Sequence, residues 1–184
     1  MPQILKAARI DGHRLALRDV APADSDFIFA LRTSASAAAH ISATPPDRQS
    51  QIDYVTAYQR GSDAAYFIIC ERDGPPLGSV RLYDPQGESF AWGSWILKAD
   101  APLFAAIESA LIVYRYALDH LGFSAAHFSV RQENAKVWQF HERFGAERAR
   151  SEAGQYYFRI GGAAIAASLA RYRRFLPNGI TVTR

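Results

Sequence analysis

Along the chain the spacing of apolar positions changes several times, and each change predicts an element. Leu15 and Leu17 alternate with Ala16 and Arg18, the pattern of a short strand. Ala21-Pro22-Ala23-Asp24 places proline and an acid where a helix opens, and Phe27, Ile28 and Leu31 give that helix an apolar side. Residues 34–47 are rich in Ser and Ala and close on Pro45-Pro46, so they read as a loop. Asp47 is placed to cap a second helix from Arg48 to Arg60, with Ile52, Val55 and Tyr58 on one side. Three β-branched and aromatic runs follow: Ala65 to Glu71, Leu77 to Tyr83 and Ser89 to Leu97. The turns between them, Asp73-Gly74-Pro75-Pro76 and Asp84-Pro85-Gln86-Gly87, are too short for crossovers, which predicts an antiparallel meander.

Residues 101–121 carry the clearest helical period. Phe104, Ile107, Leu111, Tyr114, Leu118 and Leu121 recur every three or four positions, with Glu108, Arg115 and Asp119 elsewhere, and Gly122 ends the helix. Ala125 to Val130 returns to period two. A helix flanked by two strands is a crossover, so Ser89–Leu97 and Ala125–Val130 should be parallel neighbours. Asn134 can cap a further helix, Ala135 to Phe144, whose apolar side is Val137, Phe140 and Phe144. Gln155 to Ile160 reads as a last strand, followed by a terminal helix at 163–175. The resulting order, β-α-α-β-β-β-α-β-α-β, predicts a mixed α/β (α+β) sheet and excludes a Rossmann arrangement.

Composition narrows the class. At 184 residues, 49% of them hydrophobic, the chain is expected to be one ordered globular domain. Cys70 is the sole cysteine, which excludes an internal disulfide and a multi-cysteine metal site. Its place in an apolar run makes it a buried, inert thiol rather than a nucleophile. The net charge of +3 is too small to argue for nucleic acid, and no aromatic and basic residues interleave on a strand to support it. The charge is uneven: 13 basic and 16 acidic residues lie in 1–142, and 8 and 2 in 143–184. A tail holding Arg171, Arg173, Arg174 and Arg184 can contact phosphates or simply be solvated. The opening MPQILKAARIDGHR has no apolar run suited to a signal peptide, and Gly161–Ala170 is about half the length needed to span a bilayer, so a cytoplasmic protein without a membrane partner is expected.

Common chemical fingerprints are absent: there is no G-x-G-x-x-G, no G-x-x-x-x-G-K-[ST] and no G-x-S-x-G. His13, His40, His120, His127 and His141 include no pair at ligand spacing on a helix face, so no metal is expected.

Two segments, taken with the element order, resemble the GNAT (GCN5-related) N-acetyltransferase superfamily. Val130-Arg-Gln-Glu-Asn134-Ala-Lys-Val-Trp-Gln-Phe-His141-Glu-Arg-Phe-Gly145-Ala146 is similar to that family's late motif, an Asn after a strand, a short amphipathic helix and a glycine exit. Gly93-Ser-Trp95-Ile-Leu97 resembles the strand before the cofactor loop, and Tyr116-Ala-Leu-Asp-His-Leu-Gly122-Phe123 the end of the cofactor helix. Leu17-Arg18 and Leu77-Gly78-Ser79-Val80 also fit. The resemblance covers roughly residues 14–160, flanked by an N-terminal extension, 1–13, and a C-terminal helix and basic tail, 161–184. It is nearest the branch with ribosomal-protein and nucleotide-amino-sugar N-acetyltransferases.

The resemblance implies a central sheet whose fourth and fifth strands splay, with acetyl-CoA in the gap. It implies cofactor contacts from Ile96, Leu97, Lys98, Phe104, Ala105, Ala106, Asn134, Lys136 and Phe140. The family's diphosphate loop, [QR]-x-x-G-x-[GA], falls on Ala101 to Ala106, where arginine becomes Ala101 and the key glycine becomes Phe104. Phe104 either blocks the close approach that glycine permits or turns inward as the first residue of the apolar stripe. His141 stands where the family places a tyrosine acid for the leaving thiolate, and Glu88 is a candidate base, beside His127 and water near Ser94. Arg81, Tyr83 and Trp95 are candidates for the acceptor, with Trp92 and His40 near them. The acceptor is a small amine, a nucleotide-linked amino sugar or a protein N-terminus. Strand edges in such folds often pair across a dimer, so a homodimer is one candidate assembly. The alternative is a degenerate GNAT-fold binding module without acetyl transfer.

Overall fold

The run Ala65–Glu71 is apolar without alternation because it is covered on both faces. It forms β3, inside a nine-stranded sheet. Ala65, Phe67 and Ile69 enter the larger core on one face, and Tyr66, Ile68 and Cys70 enter the smaller core on the other. A strand buried between two layers has no polar side to show. The computed structural model describes residues 1–34, 37 and 47–184. The predicted loop over 34–47 lies mostly outside those residues, as does His40.

The other strands are β1 (Arg9–Asp11), β2 (Leu15–Asp19), β4 (Pro76–Gln86), β5 (Ser89–Leu97), β6 (Ala125–Arg131), β7 (Glu147–Glu152), β8 (Gln155–Gly161) and β9 (Thr181–Thr183). Their order across the sheet is β7-β8-β6-β5-β4-β3-β2-β1-β9. The meander β3-β4-β5 is antiparallel and β5 and β6 are parallel, both as predicted. Helices α1 (Ser25–Thr33) and α2 (Arg48–Arg60) cover one face; Ile28, Val55 and Tyr58 join the smaller core there. Helices α3 (Phe104–Arg115), α4 (Ala135–Arg143) and α5 (Gly162–Arg171) line the larger core. Asp47 caps α2 by accepting from the Ser50 N–H at 2.7 Å.

Several boundaries differ from the pattern. Helix α3 begins at Phe104 because Pro102 closes a turn with Ala105 first, at 2.9 Å. Its end loosens into a π turn over Tyr116–His120 before Gly122 takes φ +79°. The terminal helix stops at Arg171 and a 3-10 turn, Arg173–Phe175, follows. Three strands carry no usable pattern. β1 and β9 have three residues each, and β7 reads ERARSE and is exposed throughout. Through β1 and β9, which pair with each other, both flanks of 14–160 contribute to the same sheet.

Candidate active site

The strands β5 and β6 pair only over Ser89↔Ala125, Phe90↔Ala126 and Ala91↔His127. Beyond that they diverge, and Trp92–Trp95 on one side and Phe128–Arg131 on the other line a cleft of about 340 Å³. The cleft lies at the carboxyl ends of two parallel strands, the usual place for a ligand in an open α/β sheet. In the chain α3 follows β5 and α4 follows β6, and the residue before α4, Asn134, lines the cleft.

A bulge shapes the β5 wall. The register against β4 passes from Arg81↔Gly93 to Ser79↔Ile96, three residues of β5 against two of β4. Ser94, at φ +46°, takes the left-handed conformation that costs a non-glycine residue about 1–2 kcal/mol. The buried Ser79 hydroxyl holds it, donating to Ser94 O at 2.9 Å. Gly93 beside it has no side chain for a reason: a Cβ there would meet the Tyr83 hydroxyl at 3.0 Å. The Gly93-Ser94 pair inside a strand run was the local signal for this bulge.

Five of the predicted site residues meet in the cleft: Tyr83, Trp92, Trp95, Asn134 and His141. Trp95 is fixed by its indole N–H, which donates to Ser109 Oγ of α3 at 3.1 Å, and by Phe140, whose ring lies 4.9 Å away. Asn134 stands at the start of α4 but does not cap it with its side chain, contrary to expectation. Its carbonyl accepts from Val137 and Trp138 instead, which leaves the carboxamide facing the cleft.

His141 is 5% exposed and boxed by Trp92, Trp95, Phe128 and Phe140, with the Phe128 ring 4.1 Å away. Burial pushes its pKa down to about 3, so at neutral pH it is an uncharged imidazole. In that form the ring can offer an N–H hydrogen bond to a leaving group, but it holds no extra proton to give.

Other predicted residues lie elsewhere. Glu88 sits at the closed end of the strand pair, where its carboxylate accepts from Ser124 Oγ at 2.8 Å. Four residues of strand, about 13 Å, separate it from Trp92, so it is not a base for the cleft. His127 is held between Ser89 Oγ (2.8 Å) and Asp84 (3.4 Å) at the same closed end. The Lys98 amide is spent on Leu77 O at 2.8 Å and its ammonium pairs with Asp100 at 3.3 Å. The Ile96 side chain packs under α1 with Leu31 and Ala37, Leu97 packs against the larger core, and Lys136 is exposed on α4. Arg81 lies on the face covered by α1 and α2, 5.1 Å from the Tyr83 ring, with Nε buried and unpartnered.

Phe104 turns inward. Its ring packs against the larger core, beneath the Arg14 guanidinium at 4.1 Å, and does not line the cleft. Ala105 is fully buried and Ala106 half-buried, so the side chains of this first turn leave the cleft open. Sequence reasoning missed Arg32 and Arg131, which line the cleft with Gln155. Arg131 ends β6 and is reachable from the strand pattern, whereas Arg32 arrives only through the packing of α1. Among the described residues, no group of His, Cys, Asp and Glu is arranged to hold a metal ion, and no helix is long and apolar enough to cross a membrane.

A bulged strand splayed from a parallel neighbour, with a helix starting at each strand's end, defines an acyl-transfer fold. The acetyltransferase (GNAT) domain family matches residues 14–147, and the chain belongs to that family of N-acetyltransferases. Among solved structures, apo FdhC, a nucleotide-linked sugar GNAT, is 33% identical with a TM-score of 0.78, over 96% of this chain and 99% of that one. A GCN5-related N-acetyltransferase from Brucella melitensis is 18% identical with a TM-score of 0.76, over 96% and 89%. Spermidine N-acetyltransferase from Vibrio cholerae, in complex with CoA and spermine, is 14% identical with a TM-score of 0.70, over 83% and 98%. The last two likenesses are of fold. No match was found among curated proteins.

Proposed function

We propose that the protein acetylates the amine of an acceptor that itself carries negative charge, of the nucleotide-linked amino-sugar class, with acetyl-CoA as donor. The observation that carries this reading is the charge of the cleft: Arg32 and Arg131 line it, and no carboxylate does among the described residues. Such a wall attracts phosphate and repels a polycation. FdhC, similar to this chain over nearly its whole length, is a nucleotide-linked sugar GNAT, which supports the same class. Arg81 adds a third cation behind Tyr83.

The donor fits the cleft in three respects. The edges of β5 beyond Ala91 and of β6 beyond His127 have no partner in each other, so they can pair with the amides of an extended chain. The Asn134 carboxamide is unspent on its helix. Phe104, the departure that favoured a non-catalytic binding module, is turned away from the gap. When bound, acetyl-CoA supplies an activated acetyl thioester open to direct attack by an amine. The Ser94 bulge turns backbone out of the β4 ladder, where an amide can hydrogen-bond the carbonyl oxygen as charge develops on it. His141 offers its ring N–H to the sulfur as the C–S bond breaks. The proton lost by the amine passes to water. Cys70 is buried in the smaller core and takes no part.

The test is release of free thiol from acetyl-CoA with UDP- and dTDP-linked amino hexoses, spermidine and a peptide amine as acceptors. Turnover with the nucleotide-linked sugars is expected. Faster turnover with spermidine, or no calorimetric binding of acetyl-CoA at millimolar concentration, overturns the reading.

A further inference from the structure

Three polar atoms behind the cleft lack partners. Trp92 Nε1, Tyr114 OH and His141 Nδ1 are each closed off from solvent and make no hydrogen bond. The Trp92 ring touches both of the others, with centroids 5.5 Å from Tyr114 and 5.2 Å from His141, each near perpendicular. Trp92 Nε1 and the Tyr114 hydroxyl approach one another without reaching hydrogen-bond geometry. The three side chains come from β5, α3 and α4, so only the folded chain brings them together. Buried polar atoms are almost always paired, and two orphans that flank a third, each against the Trp92 ring, call for a common partner.

Their chemistry limits what that partner is. An indole N–H can only donate, a phenol donates or accepts, and a neutral imidazole nitrogen does one or the other. We propose that one buried water joins them, accepting from Trp92 Nε1–H and Tyr114 O–H and donating to His141 Nδ1. Three bonds is the usual complement of a buried water. The arrangement fixes the His141 tautomer: Nδ1 accepts, so the proton resides on Nε2. Nε2, unlike Nδ1, is not closed off, and His141 lines the cleft, so the ring presents an N–H donor to it. Tyr114 is thereby a positioning residue. It is fully buried, touches no substrate and acts through His141. The kinetic consequence rests on the proposed role of His141 toward the leaving sulfur; the tautomer does not.

The experiment is long-range ¹H–¹⁵N NMR of the full chain labelled at histidine, with the His141 signals assigned by their loss in His141→Gln. The expected result is an unprotonated Nδ1 and a protonated Nε2 for His141 in the native protein. Tyr114→Phe is expected to give a mixture of tautomers, with kcat about tenfold lower and KM for acetyl-CoA unchanged, the size of one lost positioning bond. If Tyr114→Phe fails to fold, Trp92→Phe removes the other donor and is expected to give the same mixture of tautomers. A native Nδ1 that is protonated, or a tautomer that either variant leaves unchanged, overturns the inference. The NMR signal needs no turnover, so protonated Nε2 in a protein without acetyl transfer supports the inference and refutes only the proposed function.

Discussion

Replacing Glu108 by alanine would remove the hydrogen-bond acceptor that ties α3 to the β1–β2 turn. The carboxylate is 0% exposed, and its Oε1 accepts from the backbone N–H groups of His13, Arg14 and Leu15 at 2.8, 2.7 and 2.9 Å. Gly12 lets the turn come this close: a Cβ there would lie 2.6 Å from Ile112 Cδ1 and 3.0 Å from Glu108 Oε1. An orphaned buried donor costs about 1–3 kcal/mol. The Leu15 bond is buried and bears the full cost, while the His13 and Arg14 bonds are part-buried and recover some of theirs from water. The expected loss is therefore about 3–5 kcal/mol, a large share of the roughly 5–15 kcal/mol that stabilises a domain. In a chain of this size each kcal/mol moves Tm by about 2–4 °C, so Tm should fall by roughly 10 °C. Glu108→Gln keeps an acceptor of the same shape and forfeits only the charge-assisted share, so its fall should be about half as large. Urea and thermal melts followed by circular dichroism read both. An alanine variant within about 1 kcal/mol of the native chain, or a glutamine variant as damaged as the alanine one, would refute the reasoning.

Three further outcomes follow from the site. Asn134→Ala should weaken CoA binding about tenfold by calorimetry, the worth of one hydrogen bond, with no change in Tm because the side chain caps nothing. Because His141 is held near pKa 3 and an unfolded histidine titrates near 6.5, the unfolded chain binds the extra proton between those values, and stability falls as pH drops from 6.5 toward 3. Melts of His141→Phe across that window should decline less steeply than those of the native protein, and equal slopes would show that His141 is not the group concerned. Arg131→Gln should raise KM for a nucleotide-linked amino sugar about tenfold and lower it for spermidine, and equal effects on the two would remove Arg131 from acceptor selection.

What the sequence revealed follows the range over which each feature is determined. The crossover from Ser89–Leu97 through the 104–121 stripe to Ala125–Val130 is local pattern plus a handedness rule, and it located the cleft. Asn134 and His141 were legible because they keep fixed offsets within one motif on one helix. Glu88 failed because its own strand carries it to the closed end of the pair, a matter of four residues that the motif did not specify. Lys98 failed because its amide belongs to the β4 ladder. Arg32 reaches the cleft from α1 on the opposite layer, and the Ser94 conformation needs the Ser79 hydroxyl from another strand; neither contact is written in any window of sequence. β7 stayed hidden for the reverse reason: as an exposed edge strand it buries nothing, so charged residues there cost nothing and protect the edge.

The same charges bear on the missing base. A carboxylate in the cleft would stabilise a bound ammonium, which then needs a base to remove its proton. Arg32 and Arg131 act in the opposite sense: a like charge nearby favours the neutral amine over its protonated form. The apolar rings of Trp92, Trp95 and Phe128 along the cleft would strengthen that preference by withholding the solvation an ammonium requires. On the proposed function, the deprotonated amine, the form able to attack a thioester, is thus selected on entry, and water takes the proton. An acceptor that brings its own phosphates gains from the arginines at a distance from the amine, so the features that admit a neutral nucleophile also favour an anionic carrier. On this account the absence of a carboxylate from residues 90–97 reflects how the cleft is charged rather than a loss of catalysis.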